Sequence, residues 1–208
     1  MNPPIYHAVQ RSNGSAPFTE VVLKSVIQEE DEDVAKALED EIKSLQTLDH
    51  KNVVRVLGYT QGCAPGAQSE HYMLLLPLCD LDLGRFIATK AIPSSQWASE
   101  PGFLQQLKLA QQVARGLIYI HKEGLHHLDL KPANVLLTAA GLPDQYTAQI
   151  ADFGPQYNPE KDQERMFGTY EYMSPECLRR THGNPGAPSD VFRCALAQCL
   201  AACTSPLS

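Results

Sequence analysis

His126-His127-Leu128-Asp129-Leu130-Lys131-Pro132-Ala133-Asn134 gathers imidazoles, a carboxylate, an ammonium and a carboxamide into one short stretch. Further along, the strand-like Ala148–Ala151 leads into a second acidic loop, Asp152-Phe153-Gly154. A polar turn between two strands accounts for either stretch taken alone. Two such stretches following one another in the same chain ask for a chemical reason.

The chain around them has 208 residues, 43% hydrophobic and 20% charged. These are globular proportions that exclude disorder, collagen-like repeats and disulfide-packed miniproteins, and the length predicts one domain or a two-lobed unit. Twenty-four acids against 17 Lys and Arg give a net charge of −7, which lacks the positive field that nucleic-acid backbones and anionic membranes demand. Neither is an expected partner. Nothing near Met1 combines basic residues with an apolar run, and the most apolar later stretch, Cys194 to Cys203, is short and contains Gln198, so secretion and membrane spanning are not expected. Cys63, Cys79, Cys177, Cys194, Cys199 and Cys203 lack the doubled close pairs of a zinc site. They read as reduced thiols of a cytoplasmic protein, with the nucleus left open.

Ile5–Val9 and Phe18–Val26 read as a hairpin joined by the turn formers Arg11 to Ser15. The acids Glu29 to Asp33 precede Val34, Leu38, Ile42, Leu45 and Leu48, a spacing that predicts an amphipathic helix whose acidic start suits its dipole. Val53–Tyr59 and Tyr72–Leu78 are expected to form a second hairpin. Phe103, Leu107, Ala110, Val113 or Ala114, Leu117 and Ile118 then predict a long helix reaching His121. The shift from strands to helices places a lobe boundary near Leu78–Leu81.

Taken together, the two polar stretches resemble the catalytic segments of a eukaryotic-type protein kinase, and the resemblance runs from about Ile5 to Asp190. Four fixed residues, His127, Asp129, Lys131 and Asn134, match such a pattern by chance on the order of once in a thousand chains of this length. The resemblance implies an α+β, two-lobed protein kinase-like fold with a small β-rich N-lobe and a larger, mainly α-helical C-lobe, both incomplete. Residues 1–78 are then the N-lobe, 79–193 a partial C-lobe and 194–208 a divergent tail.

The family's roles fall on matching positions. Asp129 would be the catalytic base and Lys131 would neutralise the transferring phosphoryl charge. Asn134 and Asp152 would hold magnesium, which requires hard oxygen ligands. Val21-Val22-Leu23-Lys24 resembles the strand whose lysine contacts the ATP α- and β-phosphates, with Glu41 as the carboxylate that steadies it. Tyr72–Cys79 resembles the hinge strand. There Pro77 would offer a carbonyl and Cys79 both backbone groups to adenine, so the missing N–H of Pro77 removes nothing. Ile5, Val22 and Leu136 would supply apolar faces for the purine. Gly168 to Glu176 resembles the end of the activation segment, and Lys131 with Thr169 follows the serine/threonine pattern. Ser189-Asp190-Val191 resembles the start of the helix whose aspartate braces the catalytic loop.

Three departures stand out. No Gly-x-Gly occurs, so the phosphate-clamping lid is missing and weak ATP binding is expected. Beyond Asp190 the family's Trp-Ser-x-Gly core helix is replaced by Val191-Phe192-Arg193-Cys194-Ala195-Leu196, and the last helices are absent, which suggests a fragment, a splice form or a mispredicted gene end. That loss would leave Glu176 without its distal arginine partner, a costly arrangement. Leu128 stands where many kinases have an arginine that pairs with an activation-segment phosphate, which implies activity not gated by such a phosphate.

The leading expectation is therefore an ATP- and magnesium-dependent protein kinase acting on Ser/Thr hydroxyls of protein substrates, with oligomeric state open. The alternative is a catalytically inactive, truncated kinase that serves as a binding or regulatory module. A small-molecule kinase fits less well, because residues 169–176 resemble a peptide-docking segment.

Overall fold

The computed structural model describes residues 5–10, 19–27, 39, 42–63, 70–89, 100–141, 145–153, 168–179 and 185–203. The chain divides into two compact units. One comprises Met1–His50 with Val54–Leu78, the other Lys51–Val53 with Cys79–Ser208.

In the first unit, β1 (Ile5–Gln10), β2 (Thr19–Ile27), β3 (Gly58–Cys63) and β4 (Glu70–Pro77) form an antiparallel sheet ordered β1-β2-β4-β3. Strand side chains alternate between faces, so Val22 and Lys24 share the face of their cross-strand neighbours Leu76 and Leu74. On that face Tyr72 and Leu74 bury themselves against Ile42 and Val56, with Leu45, Tyr59 and Leu76 at the edge. Ile42 belongs to the helical residues 42–46, so the amphipathic helix lies on the sheet face that carries Lys24. Val34, Leu38 and the Arg11–Ser15 turn lie outside the described residues.

The expected strand over Val53–Tyr59 starts only at Gly58. Val53, Val54 and Val56 are buried, but by packing and not by a ladder. Val53, which is grouped with the second unit, instead makes one parallel bridge to Ile150 of that same unit.

That unit contains β5 (Leu81–Asp82), α1 (Leu83–Thr89), α2 (Glu100–Lys122), β6 (Val135–Ala139), β7 (Tyr146–Ile150), α3 (Pro175–Arg179) and α4 (Ala187–Cys203). Its antiparallel sheet runs β5-β6-β7. The stripe that α2 buries is Leu109, Val113, Leu117 and Ile120, while Leu107 and Ile118, expected in the core, are more than half exposed. Gly116 explains which stripe wins. A side chain there would overlap the carbonyl oxygen of Asn52 and press on Ile150 Cδ1, so only the glycine-bearing face lets the helix approach that closely. Asn52, fully buried, accepts the Ile150 amide at 2.9 Å with its carbonyl and donates from Nδ2 to the Ala148 carbonyl at 2.8 Å and to Gln112 Oε1 at 3.2 Å. It thereby ties α2 to β7.

Candidate active site

After α2 the chain enters the loop that carries Asp129, and its shape is set from beneath. Asp190, in the first turn of α4 and wholly buried, accepts the His127 amide with Oδ2 and the Leu128 amide with Oδ1, each at 2.8 Å. Its Oδ2 also meets His121 Nε2 at 2.9 Å. These bonds stabilise an unusual turn, because Leu128 has φ 59, a left-handed conformation that costs a non-glycine residue about 1–2 kcal/mol.

The His127 ring is fully buried and engaged at both nitrogens. Nε2–H donates to the Ala151 carbonyl at 2.8 Å, and Nδ1 accepts the Asp129 amide at 3.2 Å. That pairing fixes one neutral tautomer. Burial pushes the imidazole pKa down, and this outweighs the upward pull of the Ala151 carbonyl, Asp190 and Asp129. The ring also meets Phe153 with centroids 5.2 Å apart. A further bond, Ala151 amide to Asn134 carbonyl at 2.9 Å, joins the Asp129 loop to the residues on both sides of Asp152. Asp152 itself is exposed and has φ 62.

Asp129, Lys131 and Asn134 converge. Lys131 Nζ donates to Asp129 Oδ2 at 2.9 Å and to Thr169 Oγ1 at 2.7 Å. The Thr169 amide and hydroxyl both donate to Asp129 Oδ1, at 2.7 and 2.8 Å. Asn134 Nδ2 donates to the Asp129 carbonyl at 2.8 Å and reaches Oδ2 at 3.3 Å. Burial would raise the Asp129 pKa, but the hydrogen bonds from Lys131 and Thr169, together with the lysine charge, hold it below its ordinary value. The result is an ionised carboxylate, still partly open to solvent, beside an ammonium, an arrangement suited to orienting a hydroxyl and balancing anionic charge.

The other sequence-predicted residues are placed as follows. Lys24 and Val22 are half-buried on β2, and Pro77 closes β4 opposite Val21. Ile5 lies opposite Lys24 on β1, with its side chain outside the described residues, as is Glu41 entirely. Leu136 is half-buried on β6 opposite Asp82. Cys79 is half-buried, and burial raises its thiol pKa despite a hydrogen bond with Thr138.

Magnesium fits the residues present. With Nδ2 turned to Asp129, the Asn134 carboxamide keeps an oxygen for a hard cation, and Asp152 offers a solvent-facing carboxylate. Among the described residues no three His, Cys, Asp or Glu cluster into a metal cage.

Glu176 departs from expectation, since it is not left alone. Ser174 lies beside it, Ser189 Oγ donates to its Oε1 at 3.1 Å and the Arg193 charge adds to these, and together they lower its pKa. His121 and Arg193 escaped the sequence reading. His121 passes for an ordinary end-of-helix histidine, and its partner Asp190 is far off along the chain.

A strand-rich unit with a lysine on β2 and a helix-rich unit whose Asp129 loop is braced by Asp190 match the two-lobed protein kinase fold. A family profile described as "Protein kinase domain" matches residues 5–207, and the chain belongs to that family. It is 32% identical over 163 residues to the probable L-type lectin-domain containing receptor kinase V.3 of Arabidopsis thaliana, covering 73% of this chain and 21% of that protein. It is also 32% identical over 161 residues to cysteine-rich receptor-like protein kinase 10 of the same plant (74% and 22%). To Arabidopsis protein SUPPRESSOR OF NPR1-1 CONSTITUTIVE 4 it is 30% identical over 161 residues (74% and 13%). The chain thus spans about a quarter or less of the length of these relatives. Among the described residues no helix is long and apolar enough to cross a membrane.

Proposed function

We propose that this chain is the phosphotransferase part of a protein serine/threonine kinase, moving the γ-phosphoryl group of ATP to Ser or Thr hydroxyls of protein substrates. The observation that carries this reading is the ionised Asp129 held between Lys131, Thr169 and Asn134. Asp129 would orient the acceptor hydroxyl and take its proton, while Lys131 would balance charge on the transferring group. Asn134 and Asp152 would hold magnesium, which when bound shields the phosphate charge. Lys24, steadied by Glu41, is assigned to the α- and β-phosphates, and Ile5, Val22, Pro77, Cys79 and Leu136 to adenine. The engagement of Lys131 with Thr169 supports Ser/Thr over Tyr acceptors. A cytoplasmic site of action is part of the same reading.

The test is transfer of radiolabelled phosphate from ATP to a Ser/Thr peptide library, with Asp129→Ala as control. Thermal melting runs beside it, where Mg-ATP at about 100 times its Kd should add roughly 2.7 kcal/mol. Transfer abolished by the substitution supports the reading. A thermal shift without transfer would point to a nucleotide-responsive binding module, and the absence of both would end the kinase reading.

A further inference from the structure

Arg193 is the largest of the side chains that are fully buried among the described residues, and it lies on α4. A buried guanidinium carries a large desolvation cost unless opposite charge and good geometry offset it. The opposite charge is at hand. Asp190 lies one turn earlier on the same helix, and the charge of Arg193 reaches Glu176. Partnership with acids does not explain where the guanidinium goes. It lies against Gly168, where an added Cβ would stand 2.5 Å from Nη1 and 3.1 Å from Cζ and would overlap the Leu128 carbonyl oxygen. Gly168 has φ +85 and immediately precedes Thr169, the residue that grips Asp129. The backbone that delivers Thr169 is thus clasped between the left-handed turn at Leu128 and a rigid, planar side chain from α4.

We propose that Arg193 is a positioning residue, whose guanidinium forms the seat on which Gly168 rests and so fixes Thr169 within reach of Asp129. Its effect on turnover rests on the phosphoryl-transfer reading above. The seating of Thr169 does not.

Arg193→Ser removes both the charge and the seat and risks unfolding, so the informative variant is Arg193→Lys, which keeps the charge but not the planar group. Amide hydrogen exchange in the full 208-residue chain reads the seat directly. In Arg193→Lys, exchange at the Thr169 amide is expected to rise at least about tenfold, while the His127 and Leu128 amides held by Asp190 stay within roughly threefold of the parent. In a chain that transfers phosphate, kcat/KM for peptide should fall by about tenfold or more with KM for Mg-ATP within about twofold. Unchanged exchange at Thr169 would overturn the proposal, as would equal acceleration at all three amides, which marks a residue that only supports the fold. A silent parent enzyme would count against the kinase reading alone, because the exchange result stands without activity.

Discussion

Thr169 grips Asp129 by a single oxygen. Its amide at 2.7 Å and its hydroxyl at 2.8 Å both donate to Oδ1, which leaves Oδ2 to Lys131 and the fringe of Asn134. Because Lys131 also donates to the Thr169 hydroxyl, carboxylate, ammonium and hydroxyl close a three-membered ring of charge-assisted bonds.

Thr169→Val keeps shape and amide but removes the hydroxyl. Hydrogen bonds to charged groups contribute about 1.5–3 kcal/mol, so on the proposed phosphoryl-transfer reading peptide phosphorylation should drop roughly 10- to 100-fold. Thr169→Ser should stay within about threefold of the parent. Steady-state kinetics on the three proteins decides it, and equal rates in Val and Ser variants would mean that the amide alone holds Asp129.

At Leu128 the usual order of glycine and alanine should invert. Both substitutions forfeit the buried side chain, but only glycine relieves φ 59. Urea unfolding should therefore find Leu128→Gly more stable than Leu128→Ala by about 1 kcal/mol. Alanine emerging as the more stable variant would show that the turn carries no strain.

Gly116→Ala introduces a methyl group into the Asn52 carbonyl. Overpacking of this kind costs about 1–3 kcal/mol, and at roughly 2–4 °C per kcal/mol for a chain of this size calorimetry should record a clear drop in Tm. An unchanged Tm would mean that α2 can shift away from Asn52 without loss.

Acid should weaken the fold before the carboxylates titrate. Unfolded His127 takes a proton near its ordinary value of 6.5, whereas burial keeps the native ring neutral to lower pH despite the pull of Asp190 and Asp129, with Arg193 opposing them. The unfolded state therefore binds more protons below about pH 6.5, and stability falls as pH drops through that range. Asp129 and Glu176, also lowered, add their losses only around and below the usual carboxylate range. Urea midpoints from pH 8 to 5 should decline below about 6.5 and flatten in His127→Gln. A midpoint that climbs on acidification would contradict a neutral, buried ring.

Most of the fold and the heart of the site were legible because they depend on local patterns. Alternation and turn residues marked β1, β2 and β4, and Asp129, Lys131 and Asn134 fall within one loop, where spacing along the chain nearly equals proximity in space. The misreadings share one cause, tertiary choice between local options. Leu107 and Ile118 have helical spacing as good as that of Leu109 and Leu117, and only the approach of Asn52 to Gly116 selects the stripe that is buried. The stretch from Val53 to Val56 has strand composition, but its three valines are buried without a ladder. The partners of Glu176, by contrast, were hidden because Ser189 and Arg193 come from a different helix.

Lys51–Val53 is grouped with residues that begin again only at Cys79, and this governs how the molecule can be divided. A nick at the Leu78–Cys79 junction would leave the C-terminal piece without the asparagine that bolts its longest helix to its sheet. Recombinant expression from Cys79 onward should thus yield material short of one internal strut, and a tripeptide supplied in trans is a poor replacement for one tethered by the chain. Evolution could have joined these halves by one crossing of the backbone. It used three, and so no single cut separates the two units along the chain.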